Sequence, residues 1–131
     1  MPNRIVISKI GGPEVLEYID YQIPKKIEKN SVRIKQNSIG LNYIDTYHRS
    51  GIYPLPFSLP ICPGLEAAGE VIKVGTGVKN FKVGDRVSYA GAPLGSYSTH
   101  RNYPTKNLVK VPDSISFKVA ATLMTKGLTT F

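Results

Sequence analysis

The feature that most constrains the fold is a series of short apolar runs interrupted by glycine, proline, asparagine and aspartate. Residues 4–10 alternate between polar and apolar side chains, and Gly11-Gly12-Pro13 then turns the chain. Further runs rich in Val, Ile and Tyr predict strands over residues 16–21, 32–39, 67–74, 83–89, 95–100 and 108–111. Short strands with frequent turns indicate a mainly β chain, either a β-barrel or, as the alternative, a β-sandwich.

Three segments depart from this strand pattern. Residues 42–49 lack alternation and predict a short helix or turn, and residues 116–124 have helical spacing. Between them, a loop should be irregular because proline has no N–H for a sheet ladder. Its prolines are Pro54, Pro56, Pro60 and Pro63. The helix predicted over 116–124 places Phe117, Ala120, Ala121 and Met124 on one side.

The chain is basic, with 17 Lys and Arg residues against 9 Asp and Glu and a formal charge of +8. The charges are scattered and do not alternate closely with aromatic residues, which favours a solvated basic surface over nucleic-acid binding. Attraction of anionic ligands such as phosphates is a further possibility. Residues 1–10 lack a signal-peptide core, no apolar run is long enough to span a membrane, and Cys62 is the single cysteine. These features predict a cytoplasmic protein without a membrane partner.

Motifs for metal, phosphate and nucleophilic chemistry are incomplete. Cys62, His48 and His100 lie far apart and have no paired spacing, so no metal site is predicted. The Gly75–Gly77 segment lies between two predicted strands, which favours a hairpin turn over a dinucleotide fingerprint. Residues 64–69 have the glycine spacing of a phosphate loop, but Glu70 and Val71 replace its Lys and Ser or Thr.

One polar and aromatic cluster remains as a candidate site. It comprises Asn42, Asp45, Tyr47, Arg49 and Tyr53, with Glu66 after the proline-rich loop. Spacing alone favours a polar loop with two half-buried tyrosines over a binding site.

The cluster forms part of a stretch that resembles the NADPH:quinone oxidoreductases, the zeta-crystallin branch of the zinc-independent medium-chain dehydrogenases/reductases. Five segments match that family in order: residues 11–16 (GGPEVL), 40–53 (GLNYIDTYHRSGIY), 63–69 (PGLEAAG), 82–87 (KVGDRV) and 126–129 (KGLT). The resemblance implies a GroES-like, partly open β-barrel with short helices. It assigns residues 1–112 to a catalytic, substrate-binding domain and 113–131 to the start of the connection to a Rossmann domain.

That Rossmann domain, with its glycine fingerprint, is absent from the 131 residues. We therefore expect an N-terminal fragment that binds NADPH weakly or not at all and is inactive alone. It is either a truncated product or a naturally split piece that pairs with a second chain. Residues 117–131 should then expose apolar surface, so self-association or second-chain pairing is expected there.

The resemblance also implies roles for individual residues. Tyr47 and Asn42 would be catalytic, and Tyr53 and Asn42 would bind the quinone or enone. The residues implied to contact NADP(H) are Asn42, Asp45, Tyr47, Lys126 and Thr129. Zinc-dependent relatives carry Cys and His where Asn42 and Leu65 stand, so no zinc is expected.

Two other functions stay open at this point. An enoyl or alkenal reductase of the same superfamily would share these motifs. A non-enzymatic basic interaction module is the alternative from a different class.

Overall fold

The computed structural model describes residues 1–55 and 58–130, which fold into a mainly β structure. The strands are β1 (Asn3–Ile7), β2 (Leu16–Asp20), β3 (Ser31–Gly40), β4 (Glu66–Val74), β5 (Arg86–Ala90), β6 (His100–Pro104) and β7 (Val109–Lys110). The α-helices are α1 (Tyr43–Ser50) and α2 (Phe117–Thr130), and short 3-10 helices cover Pro13–Val15 and Thr105–Asn107.

The strands form two antiparallel sheets. β1 and β2 make a two-stranded sheet in which Asn3 faces Asp20, and the larger sheet has the order β6-β3-β4-β5-β7. Single bridges from Arg4 to Ser98 and from Ile7 to Ile61 join β1 to the loops. In the described part of the chain the larger sheet stays open, with β6 and β7 as its edges. The prediction of a mainly β, incompletely closed structure is confirmed.

The main core lies on one face of the five-stranded sheet. Val32 and Ile34 of β3 alternate inward with period two and are fully buried. Tyr89 and Tyr103 stack beside them with ring centroids 4.0 Å apart. Burial of each such side chain contributes about 1.5–3 kcal/mol, so this cluster fixes the register of the central strands.

Helix α2 covers the opposite face of this sheet. Ala120 and Ala121 are buried there with Ala68 of β4, and the helix packs on β3, β4 and β5. The helix extends to Thr130, beyond the end predicted at residue 124. No helix within residues 1–55 and 58–130 is long and apolar enough to cross a membrane.

Three predicted strands were wrong by three residues or more at one or both ends, and the first of them, expected over residues 4–10, ends at Ile7. The strand expected over 95–100 begins at His100 and runs to Pro104, because Gly95 has a φ of +133°, residues 97 and 99 are bends, and Ser98 makes only a single bridge. The strand expected from residue 83 begins at Arg86, because Gly84 has a φ of +93° in a turn. In the proline-rich loop Pro56 lies outside the described residues, and the described remainder is irregular except for a single bridge at Ile61.

Candidate functional site

Helix α1 is anchored at its first turn by a buried carboxylate. The Asn42 N–H donates to Asp45 Oδ2 at 3.0 Å, and the Tyr97 hydroxyl donates to the same oxygen at 2.6 Å. A negative charge at this position also faces the positive end of the helix dipole. Burial, followed by the bond to Asp45, raises the pKa of Tyr97 above its usual value. Asp45 therefore ties the start of α1 to the loop that carries Tyr97.

Asn42 is held in one orientation by two charged side chains. Its Nδ2 donates to Glu66 Oε2 at 2.9 Å, while its Oδ1 accepts from Lys126 Nζ at 3.1 Å. Lys126 also donates to the Leu41 carbonyl at 3.2 Å. Because one face of the amide gives a proton and the other receives one, the side chain cannot flip without losing both bonds.

Glu66 joins this loop to helix α2. Its side chain is fully buried, and Oε1 accepts from the Thr125 backbone N–H at 2.9 Å. The helix can approach so closely because Gly40 has no side chain: a Cβ there would lie 2.2 Å from the Ala121 carbonyl oxygen. One carboxylate thus fixes both Asn42 and α2, and charge-assisted bonds of this kind are stronger than neutral ones.

A cavity of about 410 Å³ opens beside Asn42. It is lined by Leu16, Leu41, Asn42, Tyr43, Asp45, Thr46, Arg49, Pro63 and Tyr97. A mostly apolar cavity with a few fixed polar groups is the usual form of a small-molecule site. The described geometry therefore gives Asn42 the position of a polar group at a pocket wall.

Two tyrosines lie together at the far end of α1. The rings of Tyr47 and Tyr53 are 5.8 Å apart and tilted by 46°, and 37% and 50% of the two residues are exposed. His48 is buried behind Tyr53, with ring centroids 6.3 Å apart. Gly51 permits this arrangement because it ends the helix with a φ of 82°, in the left-handed region. The pair presents partly exposed aromatic surface.

The structure brings together only some of the residues assigned to the site from the sequence. Asn42 and Lys126 are in contact, Asp45 lies under them as a buried anchor, and Tyr47 packs on Tyr53. Thr129 is exposed on α2, where its hydroxyl donates to the Thr125 carbonyl at 2.7 Å. It makes no hydrogen bond to the Asn42 group among the described residues.

Sequence reasoning did not identify two participants, the Thr125 N–H and the Tyr97 hydroxyl, which emerge only from the fold. Glu66 belonged to the predicted cluster, but its role as the shared acceptor was not predicted. Glu66 had a signal, since it is an acidic residue within the glycine motif of residues 63–69. Tyr97 lay in a stretch interpreted as a strand, and Thr125 contributes only a backbone atom, so neither had one.

The donor set does not fit a zinc ion. Asn42 supplies an amide already bonded on both sides, and Leu65 supplies an alkyl chain, whereas zinc binds thiolate, imidazole and carboxylate. Within the described residues, no group of three or more His, Cys, Asp and Glu side chains is placed to hold a metal ion.

Comparison with known proteins assigns the chain to a family. The alcohol dehydrogenase GroES-like domain model matches residues 28–113. The quinone oxidoreductase of Pseudomonas aeruginosa is 54% identical over 130 residues, which are 99% of this chain and 39% of the relative. Quinone oxidoreductase 1 of Escherichia coli is 47% identical over 131 residues, 100% of this chain and 39% of the relative.

Solved structures agree with the sequence relatives. A Pseudomonas syringae quinone oxidoreductase matches with a TM-score of 0.92 and 54% identity over 98% of this chain and 39% of that one. The Escherichia coli quinone oxidoreductase complexed with NADPH gives a TM-score of 0.92 and 48% identity over 97% and 38%. This chain therefore spans about 39% of the length of the relatives it matches. The predicted GroES-like fold is confirmed, and the chain belongs to the alcohol dehydrogenase GroES-like domain family, matching the N-terminal part of quinone oxidoreductases.

Proposed function

We propose that this chain forms the substrate-facing part of an NADPH-dependent quinone oxidoreductase, in a protein that also carries a nucleotide-binding domain. The observation that carries the proposal is the fixed amide of Asn42, which lies at a cavity wall between Glu66 and Lys126. Such preorganised polar groups orient a flat ring without needing a nucleophile or a metal. In this scheme residues 1–112 are the catalytic domain and 113–131 begin the connection to the nucleotide-binding domain.

The exposed groups around Asn42 suit the nicotinamide end of NADPH. They comprise the amide itself and the Lys126 ammonium, which offer hydrogen bonds. The partly exposed Tyr47 ring, farther along α1, adds an aromatic surface. When bound, the cofactor supplies the hydride, and the protein supplies orientation and electrostatics. Of the residues predicted to bind the cofactor, we assign direct contact to Asn42, Tyr47, Lys126 and Thr129, and to buried Asp45 the positioning of the start of α1.

The residues proposed for substrate chemistry are Tyr47, Asn42 and Tyr53. We assign to the Tyr47 hydroxyl the donation of a proton or hydrogen bond to an acceptor oxygen as negative charge develops there. Tyr53 packs against Tyr47 and offers its ring to a flat substrate. Asn42 holds the polar edge of the cavity.

A second candidate is the reduction of activated enones. The 2-haloacrylate reductase of a Burkholderia species is 42% identical over 98% of this chain and 40% of that relative. The closer match to quinone oxidoreductases, at 47–54% identity, favours the quinone as acceptor and disfavours a non-enzymatic basic module.

A chimera tests this proposal directly. In it, this chain replaces the matching N-terminal 39% of the Pseudomonas aeruginosa relative. We expect NADPH-dependent reduction of 1,4-benzoquinone, and a Tyr47→Phe variant should lose about 10²-fold in kcat. Tyr18→Phe, at an exposed tyrosine of β2, is the matched control and should leave kcat unchanged. A folded chimera that binds NADPH but reduces only enones would favour the second candidate.

The isolated chain should bind NADPH weakly or not at all, which calorimetric titration can measure; micromolar affinity would contradict this.

Self-association or second-chain pairing through α2 also stays a proposal, supported by the exposed Val119, Leu123 and Leu128. Light scattering at high concentration checks it.

A cytoplasmic location is proposed as well, since the free thiol of Cys62 suits a reducing compartment.

A further inference from the structure

A second cavity, of about 510 Å³, shares no lining residue with the one beside Asn42. Three basic side chains line it, Arg4, Lys26 and Arg101, together with the phenol of Tyr21 and the thiol of Cys62. Ile61 and Leu94 supply apolar wall. The cavity thus combines a strongly basic lining with space for a small molecule.

Arg101 is a buried cation whose bonds all lead to neutral atoms. It is 8% exposed, and its guanidinium donates to the Tyr89 hydroxyl and to the carbonyls of Pro93 and Leu94, each at 3.1 Å. The guanidinium carbon also lies 5.0 Å from the ring centroid of Tyr103. These contacts hold the side chain in place but do not neutralise its charge.

Arg4 adds a second cation with an unused donor. Its guanidinium carbon lies 4.6 Å from the ring centroid of Tyr21, and its buried Nε has no hydrogen-bond partner among the described residues. That nitrogen is closed to the cavity as well as to bulk solvent, so an anion would be held by the charge of the guanidinium and by its other N–H groups.

The lining carries more positive than negative charge. Glu28 is its one carboxylate, and it is exposed. No carboxylate in the described part of the chain lies within 4.0 Å of a guanidinium nitrogen of Arg4 or Arg101, since the ion pairs found involve Arg86 and Lys110. Partly buried cations that lack counter-ions attract an anion from solution.

We propose that this cavity binds a small oxyanion, a carboxylate or phosphate group, between the guanidinium groups of Arg4 and Arg101. Guanidinium presents a planar fork of N–H donors that matches such oxygens in pairs. The apolar wall at Ile61 and Leu94 accommodates a short hydrocarbon or ring attached to the anion. Lys26, exposed at the same lining, adds attraction without a fixed contact.

Cys62 provides a local probe, because it lines the cavity and is the single cysteine of the chain. Burial raises the pKa of its thiol to about 11, while Arg101 and Arg4 act in the opposite direction. An anion bound on the two arginines would cover the thiol and weaken their effect on it. Both changes slow alkylation by neutral iodoacetamide, which reacts with the thiolate.

The test measures the alkylation rate of Cys62 in the full 131-residue chain at constant ionic strength, with chloride replaced by inorganic phosphate or by benzoate. The alkylation rate should be proportional to the fraction of molecules whose anion site is empty. It should fall about fivefold at an anion concentration of about four times Kd. A stronger effect of benzoate would identify an organic carboxylate, and a stronger effect of phosphate a phosphate group. An unchanged rate with both anions up to about 50 mM, a range that covers millimolar affinity, would overturn the proposal.

Variants separate this site from general surface charge. Arg4→Gln should raise Kd about tenfold by removing a charge-assisted bond, whereas Lys79→Gln, the same charge change at an exposed loop, should leave Kd unchanged. Arg4→Lys keeps the charge but loses the fork, and it should raise Kd about threefold. It serves as the second variant if Arg4→Gln is unstable. Equal Kd values for the parent and for both Arg4 variants would contradict the assignment.

Discussion

The chain contains two buried polar regions with opposite charge arrangements. Around Asn42 the buried carboxylates of Glu66 and Asp45 each accept two hydrogen bonds from groups brought in by the fold. Around Cys62 the buried cation Arg101 has only neutral partners. Both regions also contain a buried polar atom without a hydrogen-bond partner among the described residues, Asp45 Oδ1 in the first and Arg4 Nε in the second. The first region is held rigid by its own side chains, whereas the second leaves room for an external anion. Substitutions in the two regions should therefore lower the free energy of unfolding by different amounts.

The largest effect is expected at Glu66. Glu66→Ala leaves Asn42 Nδ2 and the Thr125 N–H without their acceptor inside the protein and opens a cavity. We expect the free energy of unfolding to fall by about 3–5 kcal/mol, as for other broken buried networks. Urea unfolding followed by circular dichroism measures it. Glu70→Ala, at an exposed glutamate of the same strand, is the control, and equal losses in the two variants would refute the network.

Tyr97→Phe should have an intermediate effect. It removes the donor to buried Asp45 and should cost about 1.5 kcal/mol at neutral pH. Because burial raises the pKa of Tyr97 above its ordinary value of 10.0, its contribution is full below pH 10.0 and declines above it. The variant should accordingly lose stability less steeply between pH 10.0 and higher pH than the parent.

Urea unfolding at several alkaline pH values tests that difference. Other buried tyrosines, such as Tyr89 with a pKa raised to about 12, titrate in both proteins and cancel in the comparison. Tyr18→Phe, at an exposed tyrosine, should keep the slope of the parent. Parallel curves for the parent and Tyr97→Phe would rule out the proposed linkage.

The smallest effect is expected at Arg101. Arg101→Met loses three hydrogen bonds to neutral atoms but also removes a buried charge without a counter-ion, and the two terms largely offset. We expect a loss of about 1 kcal/mol in the free energy of unfolding. Lys73→Met, at an exposed position on β4, gives the baseline. A loss at Arg101 as large as that of Glu66→Ala would remove the contrast between the two regions.

Much of the fold could be predicted from the sequence, because period-two alternation and turn residues act locally. The strand containing Val32 and Ile34 and the helix beginning near Phe117 followed from pattern alone. The segment at residues 95–99 could not be predicted in this way. Its alternation is typical of a strand, but the positive φ of Gly95 and the contacts of Tyr97 with distant residues determine its path.

The candidate site was predictable where a motif holds its members, and the distant Lys126 entered it only through the family resemblance. Asn42 and Tyr47 lie within six residues, so a local motif could group them. Glu66 reaches Asn42 across 24 positions and Thr125 across 59, through pairing of β3 with β4 and packing of α2. Arg101 carries no sequence signal for a pocket, since its surroundings come from four separate segments.

The carboxylate of Glu66 has a mechanical consequence. Because the same group bonds to the loop before α1 and to the backbone of α2, a rotation or shift of the helix must either break a bond or carry Asn42 with it. Lys126 reinforces the coupling by reaching from α2 back to that loop. The position of the Asn42 amide at the cavity wall is therefore coupled to the position of α2. A force applied to the exposed end of the helix is transmitted through these bonds to the amide.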